Sequence, residues 1–327
     1  KTVTAFRFSW EGQVFSVGVS IGLVSITEAS GSLDEVLSHA DAACYAAKDR
    51  GRNRVHLFQP DDLQAQERQG QIQWASRLQE ALDKDLFRLY FQTIVPLENS
   101  DNIMPHYEIL ARMIGPDGEI IPPGAFIPAA ERFGLMPKID QWVIRNTLAW
   151  MGDQLRQNQQ PVFCSINLSG ASIGREDCLQ LIQEQLEKRK VPANNICFEI
   201  TETAAIADPA NAGRFITELK RLGCQFALDD FGSGLSSFGY LKQLPVDYLK
   251  IDGIFIQELA NNRIDQAMVA SINNIGHIMG LKTIAEFVED AATLNILRQI
   301  GVDYVQGYYL SRPEPMESLT SVRVMPR

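Results

Sequence analysis

Short apolar runs ending on a polar residue alternate along this chain with stretches whose apolar residues recur at three- and four-residue steps. After residue 86 the alternation becomes a repeat. Phe215, Ile216, Leu219 and Leu222 mark one helix face that stops at Gly223, and Phe226-Ala-Leu228 follows and ends on Asp229-Asp230. Met268, Val269, Ile272 and Ile275 mark a second helix, closed near Gly280, and Thr283-Ile-Ala285 runs into Glu286. Leu294, Leu297 and Ile300 mark a third, closed at Gly301, and Tyr304-Val305 runs into Gln306. The 3.6-residue period predicts helices, the brief apolar runs predict buried strands, and glycine after a helix supplies its left-handed stop. Such units predict a parallel sheet. Earlier strands are expected at Val162–Ile166 before Asn167, Ile196–Phe198 before Glu199 and Val246–Leu249 before Lys250, with two more around Leu89–Val95 and Tyr107–Arg112. About eight strands of this kind fit an α/β class (β/α)8 barrel, whose active site lies at the strands' carboxyl ends. An open doubly wound sheet is the alternative.

The first 60 residues follow a different rhythm. Val14 to Ile26 reads as a strand pair, Leu33 to Arg50 as a helix, Gly51-Arg-Asn-Arg54 as a turn and Val55–Phe58 as a short strand. Asp61 to Lys84 is polar, with Ile72, Ala75, Leu78 and Leu82 on one face, which predicts a single amphipathic connecting helix. The expected organisation is a partial α+β domain over 1–60, a connector over 61–84 and the barrel over 85–327. The first domain has no evident beginning, so a fragment of a longer protein is expected.

Composition narrows the chemistry. Hydrophobic content of 45% and charged content of 21% are ordinary for a globular protein. A net charge of -10 excludes general affinity for DNA or RNA polymers, while leaving room for a basic pocket that takes a small phosphorylated ligand. Five scattered cysteines, without a Cys-x-x-Cys pair, suit a reducing cytoplasm and argue against zinc. The four histidines are dispersed, so carboxylates would have to hold any metal. No 18-residue apolar run occurs and the first residues lack a signal-peptide layout.

The strand ends carry the candidate chemistry: Glu108, Asn167, Glu199, Asp229, Asp230, Lys250, Glu286 and Gln306. Two adjacent acids, Asp229 and Asp230, repel each other unless a cation lies between them, and the glycines that follow make a bend toward one point cheap. The plainer reading is a helix cap beside a turn aspartate. Oxygen-only ligands suit Mg²⁺ or Mn²⁺, and five carboxylates with a carboxamide suffice for two cations about 3.5–4 Å apart, an arrangement that activates water and clamps a phosphoryl group. Lys250 would balance the acids or stabilise a pentacoordinate phosphorus; a salt bridge to Asp252 is its structural alternative. Glu286 would be a further ligand or a base.

Several motifs then converge. Leu89-Tyr-Phe-Gln-Thr-Ile-Val95, Glu108-Ile-Leu-Ala-Arg112, Phe126-Ile-Pro-Ala-Ala-Glu131, Asn167-Leu-Ser169, Glu199-Ile-Thr-Glu202, Asp229-Asp-Phe-Gly-Ser-Gly234, Leu249-Lys-Ile-Asp252, Ala285-Glu-Phe-Val-Glu289 and Gln306-Gly-Tyr308 resemble EAL domains, the cyclic di-GMP phosphodiesterases. The resemblance implies a TIM-like barrel with one antiparallel strand, opening of cyclic di-GMP to linear pGpG, and two Mg²⁺ or Mn²⁺ ions per site. It implies that Glu108, Asn167, Glu199 and Asp229 bind one metal, that Asp229 and Asp230 hold the second, and that Glu286 is a ligand or the base. Glu108, Lys250 and Glu286 would then be catalytic. Gln92, Ile109, Leu110, Arg112, Asn167, Asp229, Lys250, Asp252, Glu289, Gln306, Tyr308 and Pro313 would contact substrate. Glu202 would anchor a regulatory loop containing Phe231, Gly232, Ser233 and Gly234, which helps form a homodimer contact.

Four departures from the family pattern stand out: Ile109 within the name motif, Thr93 for a proline, Ser233 and Leu235 for Thr and Tyr, and Phe287 for a glycine beside Glu286. The last is expected to crowd the Glu286 loop and slow turnover without abolishing binding. Residues 1–58 resemble the C-terminal part of a GGDEF (diguanylate cyclase) domain through Ser20-Ile-Gly22, Ala40–Lys48 and Gly51-Arg-Asn53. The signature loop of that domain is not in this chain. The competing reading is a silent cyclic di-GMP receptor that signals through the 61–84 helix. A cytoplasmic domain is expected, with an upstream sensor or inner-membrane anchor of the full-length protein left open.

Overall fold

The computed structural model describes residues 7–10, 13–16, 18–27, 30, 32–49, 51, 53–59, 74–98, 104–232 and 239–321. The chain forms two compact units, Lys1–Arg77 and Leu78–Arg327.

In the first unit, β1 (Arg7–Trp10) pairs antiparallel with β2 (Gln13–Ser16), and β3 (Ile21–Leu23) pairs parallel with β4 (Val55–Leu57) across the helix α1 (Leu33–Asp49). The strand pair expected over Val14 to Ile26 does not form among the described residues: Gln13–Ser16 pairs with β1, and Ile21–Leu23 pairs with β4. α1 lies tight on β3: Ala42, Ala43 and Ala47 are fully buried, and a Cβ at Gly22 would fall 2.4 Å from the Ala40 carbonyl oxygen. Of the expected connector, residues 74–83 are helical and 61–73 lie outside the described residues.

The second unit is a closed barrel. Its chain order is β5 (Phe87–Pro96), β6 (His106–Ile114), β7 (Ile120–Ile121), α2 (Pro123–Arg132), α3 (Met136–Arg156), β8 (Phe163–Asn167), α4 (Glu176–Arg189), β9 (Ile196–Thr201), α5 (Glu202–Ala207), α6 (Pro209–Leu222), β10 (Gln225–Phe231), β11 (Tyr248–Ile251), α7 (Arg263–Ile278), β12 (Lys282–Ala285), α8 (Ala291–Ile300), β13 (Tyr304–Val305) and β14 (Glu314–Pro315). Around the barrel the order is β5-β13-β12-β11-β10-β9-β8-β6, and β6 pairs back onto β5; β7 and β14 are short additions. That closure rules out the open sheet. β5 runs antiparallel to both of its neighbours, β6 and β13, while the pairings from β6 through β8 to β13 are parallel.

Local chemistry explains the segmentation. Thr201, Asp208, Asn262 and Asp290 each accept a backbone N–H at the start of α5, α6, α7 and α8, and Gly223 and Gly301 end α6 and α8 at φ +105° and +83°. The barrel floor is a plug of side chains from the strand starts. Phe163, Cys197, Ala227 and Tyr248 pack together there, and the His106 ring sits 4.6 Å from Phe163 and 6.1 Å from Tyr304. His106 Nε2 lies 2.9 Å from Ser165 Oγ, and burial pushes its pKa down to about 3, so the ring is neutral. Among the described residues no helix is long and apolar enough to cross a membrane.

Asp303 pins β12 to β13. It accepts from Lys282 Nζ at 2.6 Å and from the Thr283 N–H at 2.9 Å, and His277 Nε2 lies 2.8 Å away. Burial alone would raise its pKa, but these donors outweigh it and hold the carboxyl below its ordinary value. The ionised form therefore stabilises the fold above about pH 4, and that contribution disappears as pH falls through the lowered value. Urea unfolding of Asp303→Ala should show a loss of about 1–3 kcal/mol at pH 7 and a smaller gap from the native chain near pH 3.

Candidate active site

Both acids at the end of β10 reach the barrel mouth because the strand bends on one of them. The β10–β11 register shifts between Leu228 and Phe231, and Asp230 itself takes φ +55°, with Gly232 at +99° two residues on. The sequence had placed this bend on the glycines; an aspartate tolerates the left-handed region better than most residues. The result is that ligand oxygens of Asp229, Asp230 and Glu286 lie within 4.8 Å of one another.

Beneath them is Lys250. Its side chain is fully buried, with Nζ 2.5 Å from Glu199 Oε2, 2.7 Å from Glu286 Oε1, 3.2 Å from Asp229 Oδ1 and 3.9 Å from Glu108 Oε1. One ammonium cannot neutralise four carboxylates. Burial pushes the Glu199 carboxyl up to about 8 and that of Asp230 to about 6, and it carries Asp229 and Glu286 upward as well. Burial works against the charge on Lys250, but the four surrounding acids win and hold its pKa well above the ordinary value. The Lys250–Asp252 salt bridge does not form: Asp252 Oδ1 accepts the Ile254 N–H at 2.9 Å and caps the turn Gly253–Phe255.

Amides hold Glu108. Asn167 Nδ2 donates to its Oε1 at 2.6 Å and Gln306 Nε2 to its Oε2 at 2.6 Å; Gln306 Nε2 also donates to Gln92 Oε1 at 3.0 Å. The reversed direction of β5 makes this possible, because it sets Gln92 opposite Glu108 in register. Two buried acceptors in this cluster, Glu199 Oε1 and Gln306 Oε1, have no hydrogen-bond donor among the described residues. Orphaned acceptors, an excess of carboxylates and an all-oxygen donor set are what a hard divalent cation requires, so the residues present fit such a group.

Above the acids opens a cleft of about 350 Å³ whose walls include Gln92, Leu110, Arg112, Phe287, Glu289, Tyr308 and Pro313. Arg112 shares the inward face of β6 with Glu108 and lies over the Tyr90 ring at 5.3 Å. Four expected substrate contacts do not line this cleft. Ile109 points to the opposite face of β6 because strand neighbours alternate, and it lines a separate cavity of about 330 Å³ with Phe126 and Met136. Asn167 borders that second cavity too, although its amide reaches Glu108. Asp252 is spent on its turn, and Lys250 is too deep to meet the cleft.

Residues 75–313 match the family model described as EAL domain. The chain belongs to the EAL domain family. It is 42% identical over 306 residues to the cyclic di-GMP phosphodiesterase PdeB of Shewanella oneidensis, covering 93% of this chain and 35% of the relative. The bifunctional diguanylate cyclase/cyclic di-GMP phosphodiesterase MucR of Pseudomonas aeruginosa is 33% identical, covering 93% of this chain and 44% of the relative. The chain thus spans well under half the length of these curated relatives. Among solved structures, the EAL domain of FimX from Pseudomonas aeruginosa bound to c-di-GMP superposes with a TM-score of 0.68 at 34% identity, covering 74% of this chain and 96% of that one.

Two features of this EAL domain tie its loops to the mouth. Glu202, buried at the start of α5, accepts the Gly232 N–H at 2.9 Å and the Tyr240 hydroxyl at 2.6 Å, gripping both ends of a loop whose Ser233 and Gly234 lie outside the described residues. Phe231 is buried beside that grip. Ser311, absent from the sequence reading, accepts Gln92 Nε2 through its carbonyl at 2.9 Å, and its hydroxyl accepts the Thr93 N–H at 3.2 Å. The threonine in place of proline therefore supplies a donor that proline lacks. Gly307, also missed, allows the backbone to approach Val288, where a Cβ would lie 2.2 Å from the main chain; the Gln306-Gly307 pair after a strand was its signal.

Lys250→Met should cost about 3–5 kcal/mol in metal-stripped protein, because it strands buried carboxylates without a cation. The raised acids also set a pH dependence. The fold retains protons that the unfolded chain releases between about pH 4.3 and the folded value of Glu199 near 8. Stability of stripped protein should decline as pH rises through that window, more steeply in the variant. Urea titrations at pH 5 and 8, with and without manganese, check both expectations.

Proposed function

We propose that this EAL domain hydrolyses one phosphodiester of cyclic di-GMP to linear pGpG. The observation that carries the reading is the convergence of Asp229, Asp230 and Glu286 over a buried, incompletely neutralised acid cluster, at the floor of a cleft containing Arg112. The names of PdeB and MucR, and the FimX complex with c-di-GMP, support the substrate and reaction.

In this reading Glu108, Asn167, Glu199 and Asp229 would hold one Mg²⁺ or Mn²⁺, and Asp229 and Asp230, with Glu286 beside them, would hold a second. When bound, such ions supply Lewis acidity that polarises the phosphoryl group and acidifies water. The chain's own residues do the rest. Arg112 offers a planar fork to a phosphate oxygen or guanine edge from its seat over Tyr90. Gln92, Leu110, Glu289, Tyr308 and Pro313 shape the remaining contacts. Glu286 takes the proton of the attacking water, whose oxygen joins phosphorus while the ribose 3′ oxygen leaves and gains a proton. Lys250 acts from below by setting the charge of the acids, without touching substrate. Gln306 fixes Glu108 through its amide N–H, and its own buried carbonyl oxygen has no donor among the described residues.

The wider organisation belongs to the same proposal. Residues 1–60 are the end of a GGDEF-type domain, 61–84 connect, and 85–327 form the catalytic barrel. The parallel pair β3 and β4 with α1 packed against β3 supports an α+β unit of that type. In this reading the domain works in the cytoplasm as a homodimer. α7 supports the dimer, since Ile264, Met268 and Ile278 form an exposed apolar stripe along it.

Incubation with cyclic di-GMP and Mn²⁺, followed by chromatography, should give linear dinucleotide. Glu286→Gln should slow this by about a hundredfold or more, and Glu108→Ala should abolish it. Tight binding without product would favour a receptor instead. Sedimentation at micromolar concentration should show a dimer that Met268→Glu converts to monomer, with a monomeric native chain counting against the dimer.

A further inference from the structure

One large side chain in the cleft has no task in the hydrolytic scheme. Phe287 directly follows Glu286, lines the cleft and is 52% exposed. Its backbone sits at φ +51°, the left-handed region that a bulky residue adopts only at a cost. Burial does not repay that cost, because half of the ring faces the open cleft. The ring is nevertheless held in place. A Cβ at Gly253 would fall 2.3 Å from Phe287 Cδ2. Gly253 has no positive φ to explain its identity, so the approach of this ring is what excludes a side chain there. Among the described residues no ring or cation stacks on Phe287, whereas the other large exposed ring of the cleft, Tyr308, is covered by the Arg312 guanidinium at 4.7 Å.

We infer that Phe287 is a stacking platform for a purine base of the substrate, and that it governs affinity and base preference rather than bond cleavage. The inference rests on the cyclic dinucleotide reading above. A flat, half-exposed ring beside the acid floor presents a π-face to the base of a nucleotide whose phosphate lies over those acids. Aromatic stacking is tolerant of base identity but stronger for the larger purine ring system. The strained backbone then has a function: it turns the ring out of the wall, where a right-handed residue would turn it in. This differs from the crowding expected from sequence, which would place the ring's effect on Glu286 and on turnover.

The test is steady-state cleavage by the full chain with Mn²⁺, on cyclic di-GMP and on cyclic di-UMP, by the native protein, Phe287→Ala, Phe287→Trp and Gly253→Ala. Phe287→Ala should raise KM for cyclic di-GMP by roughly ten- to a hundredfold, with kcat held within about threefold, and should narrow the gap in KM between the two nucleotides. Phe287→Trp should keep KM near the native value. Gly253→Ala, which keeps the ring but displaces it, should give an intermediate rise. Should Phe287→Ala fail to fold, as judged by melting, the tryptophan and Gly253→Ala variants carry the comparison. An unchanged KM in Phe287→Ala, or a change confined to kcat, overturns the platform. Absence of both cleavage and binding by the native chain overturns the hydrolase reading instead, and that outcome is read before any variant is made.

Discussion

A single buried ammonium surrounded by four carboxylates is the constraint on which this site depends. Lys250 contacts Glu199, Glu286 and Asp229 and lies within 4 Å of Glu108, yet it supplies one positive charge. With the acids ionised, that leaves the group three charges negative in a place where water cannot screen them. Only protons or further cations can restore balance. The protein meets part of the requirement by letting carboxyls hold protons, which is the meaning of the upward shift at Glu199. The remaining demand is a standing affinity for divalent ions, and the orphaned oxygens of Glu199 and Gln306 mark where donors are still wanting. The lysine is thus no mere neutraliser: it keeps the acids together tightly enough that the rest of their charge must be answered from outside.

Such crowding persists because the scaffold leaves the acids nowhere to go. Glu199 is on β9, Asp229 on β10, Lys250 on β11 and Glu108 on β6, all strands of one closed barrel. Strand pairing fixes the backbone positions of these acids, so the strands cannot separate to relieve the repulsion without losing that pairing. The aromatic plug around His106 closes the other end, so the polar groups meet solvent only through the mouth. The mouth is clamped in turn, Gly232 and Tyr240 by Glu202 and the stretch after β13 by Gln92 and Ser311.

Much of this was legible in the sequence for a physical reason. A strand buried on both faces reads as an unbroken apolar run, so its last residue before the loop is the first that can be polar, and Asn167, Asp229, Glu286 and Gln306 stand out at once. Strand direction has no such signature. The reversal of β5 followed only from the family resemblance, since Phe87–Pro96 has the same pattern in either direction. The bend at Asp230 escaped because an aspartate, not a glycine, takes the left-handed conformation. Ile109 could have been placed correctly from alternation alone: as the neighbour of Glu108 it must face away. The partners of Lys250 were out of reach, because Glu199 lies 51 residues away along the chain and no local pattern joins them.

The site also separates two tasks by depth. Charge lies at the bottom, where low dielectric magnifies it and where side chains are locked by strands; rings and long polar side chains lie at the rim, where exposure leaves them free to meet a ligand. Glu286 and Phe287 show the division within one peptide bond. The acid turns inward onto Lys250, while the ring, forced to positive φ, turns outward over Gly253. A glycine at 287 would release that strain, but it would leave the rim without a surface for the π-face of a base. Retaining a strained, half-exposed phenylalanine makes physical sense where the missing half of its burial is supplied by the molecule that the acids beneath are arranged to cleave.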